Sequence, residues 1–312
     1  MRELLYGVLV GPVKDMASSP TFLAEVVIGG LAAGLMYSLV ALGFVLIYKA
    51  SGVFNFAQGV MVLFAALTLV GLMERGVPLV PALALTMLVM VALAVAIERV
   101  VLRPLVNQEQ IILFMATIGL NFFLEGFGEL AWGSNVKKLD VGIPDSSFMV
   151  WGIQINRLEM TAALTAAVLV AVMAVFFQRT RIGRALRAVA DDHEAALSIG
   201  IPLNTIWIVV WSAAGLVAIV AGIMWGAKSG VQFSLSLIAL KALPVLILGG
   251  FTSVPGAIVG GLIIGVGEKI AEVYWGPLVG GAIENWFAYV LALAFLLVRP
   301  QGLFGEKIIE RV

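Results

Sequence analysis

Phe22-Leu23-Ala24-Glu25-Val26-Val27-Ile28-Gly29-Gly30-Leu31-Ala32-Ala33-Gly34-Leu35-Met36-Tyr37-Ser38-Leu39-Val40-Ala41-Leu42-Gly43-Phe44-Val45-Leu46-Ile47-Tyr48 is the stretch that decides the fold. A helix needs roughly 20 mostly apolar residues to cross the hydrocarbon of a bilayer. This run exceeds that length with one charge, Glu25, near its start. The rest of the chain has the same character: 312 residues, 62% hydrophobic and 12% charged, with a mean hydropathy of +1.08. Soluble domains carry about 25% charged residues. Lipid is therefore the main solvent, and long apolar runs in lipid must satisfy their own backbone as helices. The expected fold class is all-α, a polytopic membrane bundle.

Outward from that stretch, further apolar segments follow at Phe56–Met73, Val77–Ile97, Gln110–Trp132, Met160–Phe177, Ile206–Trp225, Leu237–Phe251, Val254–Ile270 and Trp286–Val298. Leu237–Phe251 is short for a crossing, and Pro244 removes a backbone donor within it. A broken or re-entrant helix is tolerated where protein or a water-filled cavity covers it; the alternative is an ordinary kinked helix. The expectation is nine crossings, or eight plus a re-entrant piece. Residues 1–20 read as an extramembrane or interfacial segment, 21–306 as the transmembrane domain and 307–312 as a tail. Ala17-Ser18-Ser19 resembles a signal cleavage site only weakly.

Charge placement orients the chain. Arg179, Arg181, Arg184 and Arg187 assign the 178–203 loop to the cytoplasm, and Arg299, Lys307 and Arg311 assign the tail there too. The polar insertion 133–158, with Lys137 and Lys138, then lies outside, and that basic pair dissents from the rule, as do Arg2 and Lys14. Gly30 and Gly34, Gly256 and Gly260, and Gly261 and Gly265 are spaced for close backbone approach in lipid. They point to a tight bundle, packed within the chain or against a second copy or a paralogue.

Catalysis finds little support. The sequence has no cysteine and one histidine, His193, which rules out disulfides and a multi-histidine metal site within the chain. It has no Gly-Lys of a phosphate loop, no Gly-x-Ser-x-Gly and no His-Glu-x-x-His. Zero net charge argues against a nucleic-acid partner. The charges inside apolar segments are Glu25, Glu125, Glu129, Lys241, Glu268 and Lys269. Such groups are costly in lipid and usually face the bundle interior. Lys241 and Glu268 lie deepest and are candidates to pair with each other.

The 178–203 loop carries the functional signal. Arg181, Arg184 and Arg187 recur every three residues along one helix face. Asp191 is placed to cap a second short helix, with Glu194 completing an acidic capping box, Ala195 and Ala196 continuing it, Gly200 closing it and Pro202 preventing its extension. A well-ended helix outside the membrane between two spans suggests a docking partner.

Glu194-Ala195-Ala196 followed by Gly200 resembles the coupling motif of ABC-importer permeases. Further stretches resemble the branched-chain amino acid permease family: Gly30–Tyr48 with Asn55-Phe56-Ala57-Gln58-Gly59, Arg103-Pro104-Leu105, Ala116-Thr117-Ile118-Gly119-Leu120, Lys241–Gly250, Pro255–Gly261 and Arg299–Gly305. The resemblance runs from about 22 to 306. It implies a bacterial-type inner-membrane subunit that is not itself an enzyme and binds no cofactor. ATP would act through two partner ATP-binding subunits, beside a second permease of similar fold and an extracytoplasmic binding protein. Arg181, Arg184, Arg187, Asp191, Glu194, Ala195, Ala196 and Gly200 would couple the ATPases to the spans. The family usually has His where this chain has Gln58, and Gln cannot become cationic. Members of the wider group also carry urea, short amides and carboxylic acids, so these stand beside a branched-chain amino acid as cargo. Asn55, Gln58, Thr117 and Asn121, uncharged polar groups in or beside spans, are the candidates for lining the pathway. Two rival readings remain: an ion-coupled secondary transporter using Glu268 or Glu125, and a membrane-embedded enzyme.

Overall fold

A computed structural model of the chain describes residues 10–105, 108–191, 196 and 198–305. Among them are eleven α-helices. A short exposed α1, Gly11–Ser18, precedes the long α2, Pro20–Ser51. Then come α3, Gln58–Glu74; α4, Leu79–Ala96; and α5, Gln110–Trp132. After a loop, α6 spans Arg157–Arg179 and α7 Arg181–Asp191. The chain ends with α8, Leu203–Ser229; α9, Ile238–Gly249; α10, Val254–Val279; and α11, Phe287–Val298. Among the described residues six segments are long and apolar enough to cross a membrane: α2, α4 with its extension to Leu105, α5, α6, α8 and α10. Three apolar helices are shorter: Gln58–Glu74, Phe233–Gly249 and Phe287–Val298.

Helix α2 is the axis. In its most apolar window 83% of residues are buried, against 28% in α4 and in α5. The outer helices therefore present apolar side chains such as Leu88, Phe123, Val168 and Leu297 outward, as lipid requires. The helix ends where Gly52 takes φ +68° and its N–H reaches Tyr48 O.

The glycine pairs meet within this chain. A Cβ on Gly34 would stand 2.5 Å from Gly261 O, and one on Gly30 would stand 2.7 Å from Val266 Cα. Gly260 abuts Val245 O, and Gly256 abuts Gly249. Gly30 and Gly34 thus serve the α2–α10 contact, and Gly256 and Gly260 the α9–α10 contact, so none of them faces a second copy. Close backbone packing replaces the hydrophobic drive that lipid removes.

Two further departures from the sequence reading have local causes. Residues Ser147–Val150 and Ile153–Asn156 form an antiparallel β-hairpin. Its two-residue turn, Trp151-Gly152, has φ of 51° and 81°, which matches the twist of the strands. The bundle is helical, but loop 133–158 is not plain polar coil. Helix α4 also runs past Ile97, through a π-turn Ile97–Leu102 and a 3-10 turn Arg103–Leu105. There Glu98 is fully buried, and Arg103 holds it with two 3.0 Å hydrogen bonds.

The short α9 is preceded without a break by a 3-10 turn, Phe233–Leu237. Pro244 within it frees the carbonyl of Leu240, and the Tyr289 hydroxyl of α11 donates to that oxygen at 2.6 Å.

Contacts sort the helix termini into two ends. At one, Lys137 pairs with Glu74, the Lys137 and Val231 backbones bridge, and Lys228 Nζ lies 2.7 Å from Glu159 Oε1. At the other, Lys49 Nζ donates to Thr252 O at 3.4 Å and Trp207 Nε1 to Ala50 O at 3.2 Å. The Arg299–Gly305 tail also closes there: Leu303 N–H donates to Leu248 O at 2.8 Å and Phe304 N–H to Gly249 O at 3.2 Å. The tail thereby satisfies the last carbonyls of α9.

Candidate functional site

The chain between α2 and α3 breaks at residues 52–57 and the break is built from polar side chains. Asn55 Oδ1 accepts the Ala57 N–H at 3.1 Å, turning the backbone into α3, while its Nδ2 points to Gln58 Oε1 at 3.5 Å. The Thr117 hydroxyl of α5 accepts the Phe56 N–H at 3.0 Å and donates to Phe114 O at 2.8 Å. Gln58 lies against Gly43, where a Cβ would collide with Gln58 Nε2. Its Nε2 is buried with no hydrogen-bond partner among the described residues.

These residues back a cavity of about 240 Å³ between the break, α5 and the 3-10 entry to α9. Phe44, Phe54, Phe56 and Phe122 form much of its wall, with Asn121, Glu125 and Ser236 as the polar groups. The four pathway candidates separate here. Asn121 lines the cavity. Asn55, Gln58 and Thr117 are fully buried behind the Phe54–Phe56 wall: Asn55 and Thr117 hydrogen-bond the backbone of the break, and Gln58 meets the Asn55 amide. Glu125 stands in the cavity instead. The signal for it was the four-residue spacing Thr117, Asn121, Glu125, Glu129, a polar stripe along one face of an otherwise apolar helix.

Lys241 and Glu268 do meet, at 3.0 Å. Tyr37 OH donates to the same carboxylate oxygen at 3.1 Å, tying α2, α9 and α10 together. Tyr37 stacks on Trp225 with 5.8 Å between ring centres. Sequence spacing gave no hint of Tyr37.

At the end of α6, the chain turns into the short α7. Thr180 Oγ1 accepts the Gly183 N–H at 3.1 Å, an N-cap. Gly183 presses on the Phe177 carbonyl with no room for a side chain. Arg187 donates to Phe177 O at 2.7 Å and Gln178 O at 3.2 Å. The basic face is therefore smaller than the spacing implied. Arg181 and Arg184 remain exposed, whereas Arg187 is drawn to the unsatisfied carbonyls at the C-terminus of α6. Asp191 ends α7; its side chain, and residues Glu194 and Ala195, lie outside the described residues. Ala196 is buried with Val189 and Leu203 in a small core of the loop's own, so it faces inward. Gly200 has φ +83°, and the Ile201 N–H returns to Ala196 O at 3.0 Å, a closing turn of the kind glycine permits.

Among the described residues no group of three or more Asp, Glu, His or Cys stands ready for a metal.

The whole bundle matches the family described as "Branched-chain amino acid transport system / permease component" over residues 26–299. The chain belongs to this permease family. Such a permease is a transport component of an ABC system and is not itself catalytic, and this one is a multi-pass membrane protein. It is 30% identical to the high-affinity branched-chain amino acid transport system permease protein BraD of Pseudomonas aeruginosa, over 91% of this chain and 96% of that protein. It is 27% identical to LivH of Escherichia coli, over 95% of this chain and all of the other. A probable branched-chain amino acid permease of Methanocaldococcus jannaschii is 28% identical over 88% of this chain and 91% of its own length. The permease's tail motif and its glycine pairs are thus explained by packing, and its break, cavity and 178–203 loop are left as the places where function would reside.

Proposed function

We propose that this permease is one of two similar membrane subunits of a binding-protein-dependent importer of branched-chain amino acids. Two ATP-binding subunits on the cytoplasmic side would drive it. The two ends defined by contacts support nine crossings: α2, α3, α4, α5, α6, α8, the Phe233–Gly249 helix, α10 and α11 alternate in direction between them. The four-arginine loop then puts Lys49, Thr252 and the tail in the cytoplasm and the β-hairpin outside.

The observation that carries the reading is the fixing of α7 onto α6. Thr180, Gly183 and Arg187 lock a short helix to the end of a span and leave Arg181 and Arg184 exposed. A rigid lever at this point suits transmission of movement from a docked ATPase. A second permease is supported by α5. A face bearing Asn121, Glu125 and Glu129 cannot rest against lipid at acceptable cost; a partner subunit there would enclose the cavity between the two chains.

The test is uptake of labelled leucine by proteoliposomes holding the complete assembly with its loaded binding protein. The expected result is uptake that stops when the catalytic carboxylate of the ATP-binding subunits is neutralised and that ignores an ionophore. Uptake that persists without ATP hydrolysis and collapses with the ionophore would favour an ion-coupled transporter.

A further inference from the structure

We propose that the cavity beside the break is a transient substrate site on the translocation path, and that Glu125 selects for a solute bearing an ammonium group. This rests on the importer reading and deepens it. Whereas branched-chain amino acids, urea, short amides and carboxylic acids all suit the fold, the cavity distinguishes among them by charge.

The argument begins with what Glu125 lacks. It sits within α5, about two turns before the helix ends at Trp132, and that helix is long and apolar enough to span. Every ion pair found among the described residues involves other carboxylates: Glu98, Glu74, Glu159, Glu268 and Glu284. Glu268, also in a span, has Lys241 and Tyr37. Among the described residues Glu125 has neither a cation nor a hydroxyl as a partner, although an intramembrane carboxylate without a partner is expensive and marks a functional position.

The surroundings define what would complete it. Asn121 lies one turn before Glu125 on the same face and lines the same cavity. The remaining wall is chiefly Phe44, Phe54, Phe56 and the leucines of the α9 entry. Aromatic rings tolerate a cation and reject an anion, because their faces carry negative charge. Among the described residues no Lys or Arg lines the space. A bare carboxylic acid would meet the Glu125 charge and find no cation to answer it. A neutral amide or urea would leave the carboxylate unpaired. An apolar amino acid fits all three features: its ammonium pairs with Glu125, its carboxylate accepts from the Asn121 amide, and its side chain covers the phenylalanines. The volume, about 240 Å³, falls just below the roughly 300 Å³ at which sites for drug-sized ligands begin, which suits a solute of few heavy atoms. Phe122 and Leu237 at the rim are 67% and 57% exposed, so the cavity opens at the chain's surface, towards the proposed partner permease.

The experiment has two arms. In the first, the detergent-purified assembly without binding protein is titrated calorimetrically with leucine, isoamylamine and isocaproate. The expected result is binding of leucine and the amine at least roughly tenfold tighter than the acid. Equal binding of amine and acid, or tighter binding of the acid, would overturn the proposal. This arm uses the native chain and does not depend on a variant folding. In the second, Glu125→Gln is expected to erase the preference for the amine and to lower leucine uptake by roughly tenfold, with ATP hydrolysis still stimulated by the loaded binding protein. A variant that keeps both the preference and the uptake would remove Glu125 from selection. Failure of the native assembly to take up leucine with ATP would instead remove the importer reading on which the proposal stands.

Discussion

Replacing Gly265 with leucine is expected to leave almost no folded permease. A Cβ at this position would collide with Gly34 N and stand 2.5 Å from both Gly30 O and Gly34 Cα. These are backbone atoms of α2, the axis on which the bundle is built, so relief requires parting two helices. Overpacking in a close-packed interior costs typically about 1–3 kcal/mol, and more where nothing can move. In lipid that contact is itself the source of stability, and total stability is only about 5–15 kcal/mol. Gly29→Leu is the control. One residue away, a Cβ would meet only Lys269 Cε, at 4.0 Å, and the variant should accumulate normally. Fluorescence-detected size-exclusion of tagged protein reads the outcome. A monodisperse Gly265→Leu peak at native height would mean that α2 and α10 do not meet through their backbones.

Lys241→Met is expected to destabilise the chain strongly, and adding Glu268→Leu to restore most of the loss. The single change leaves the Glu268 carboxylate with Tyr37 as its remaining partner; its second oxygen already lacks one among the described residues. Removing one member of a buried ion pair costs about 3–5 kcal/mol, whereas replacing both by apolar residues is often neutral. The lower end applies, because the Lys241 side chain is 28% exposed. Thermal unfolding of the native chain, the two single variants and the double variant gives the coupling directly. A double variant as unstable as Lys241→Met alone would contradict the account of that pair.

Much of the bundle was legible because lipid imposes a simple rule on composition. Gln110–Trp132 was delimited to the residue by its apolar run, and α10 was found but ends at Val279, since the run continues past the charged Glu268-Lys269 pair. Spacing revealed which residues share a face, but not what the face meets. That is why Gly30 and Gly34 were legible as packing residues while their partners, Gly261 and Gly265, were not assignable to them. The hairpin was hidden because its turn is Trp151-Gly152 in place of the usual Asn-Gly, with a tryptophan at positive φ. Arg187 was read as part of a docking face because the orphan carbonyls of α6 that recruit it become visible only once the chain turns back. For the pathway, polarity pointed to Asn55, Gln58, Thr117 and Asn121 alike. The broken backbone absorbed Asn55 and Thr117, Gln58 was buried beside Asn55, and the cavity was left to Asn121 and its helical neighbour Glu125. The close of the 178–203 loop was the most transparent part: Gly200, at φ +83°, and Pro202 stop the helix by elementary backbone constraint.

The central claim is that work done by ATP-driven partners enters the bundle through the clamped helix after α6 and the segment that follows it. The most direct measurement is leucine uptake by proteoliposomes holding the full assembly, with residues 181–201 replaced by a Gly-Ser chain of equal length. The account predicts uptake at the level of liposomes without ATP, from a chain that still inserts and still pairs with its partner permease. Uptake at the native rate would contradict it.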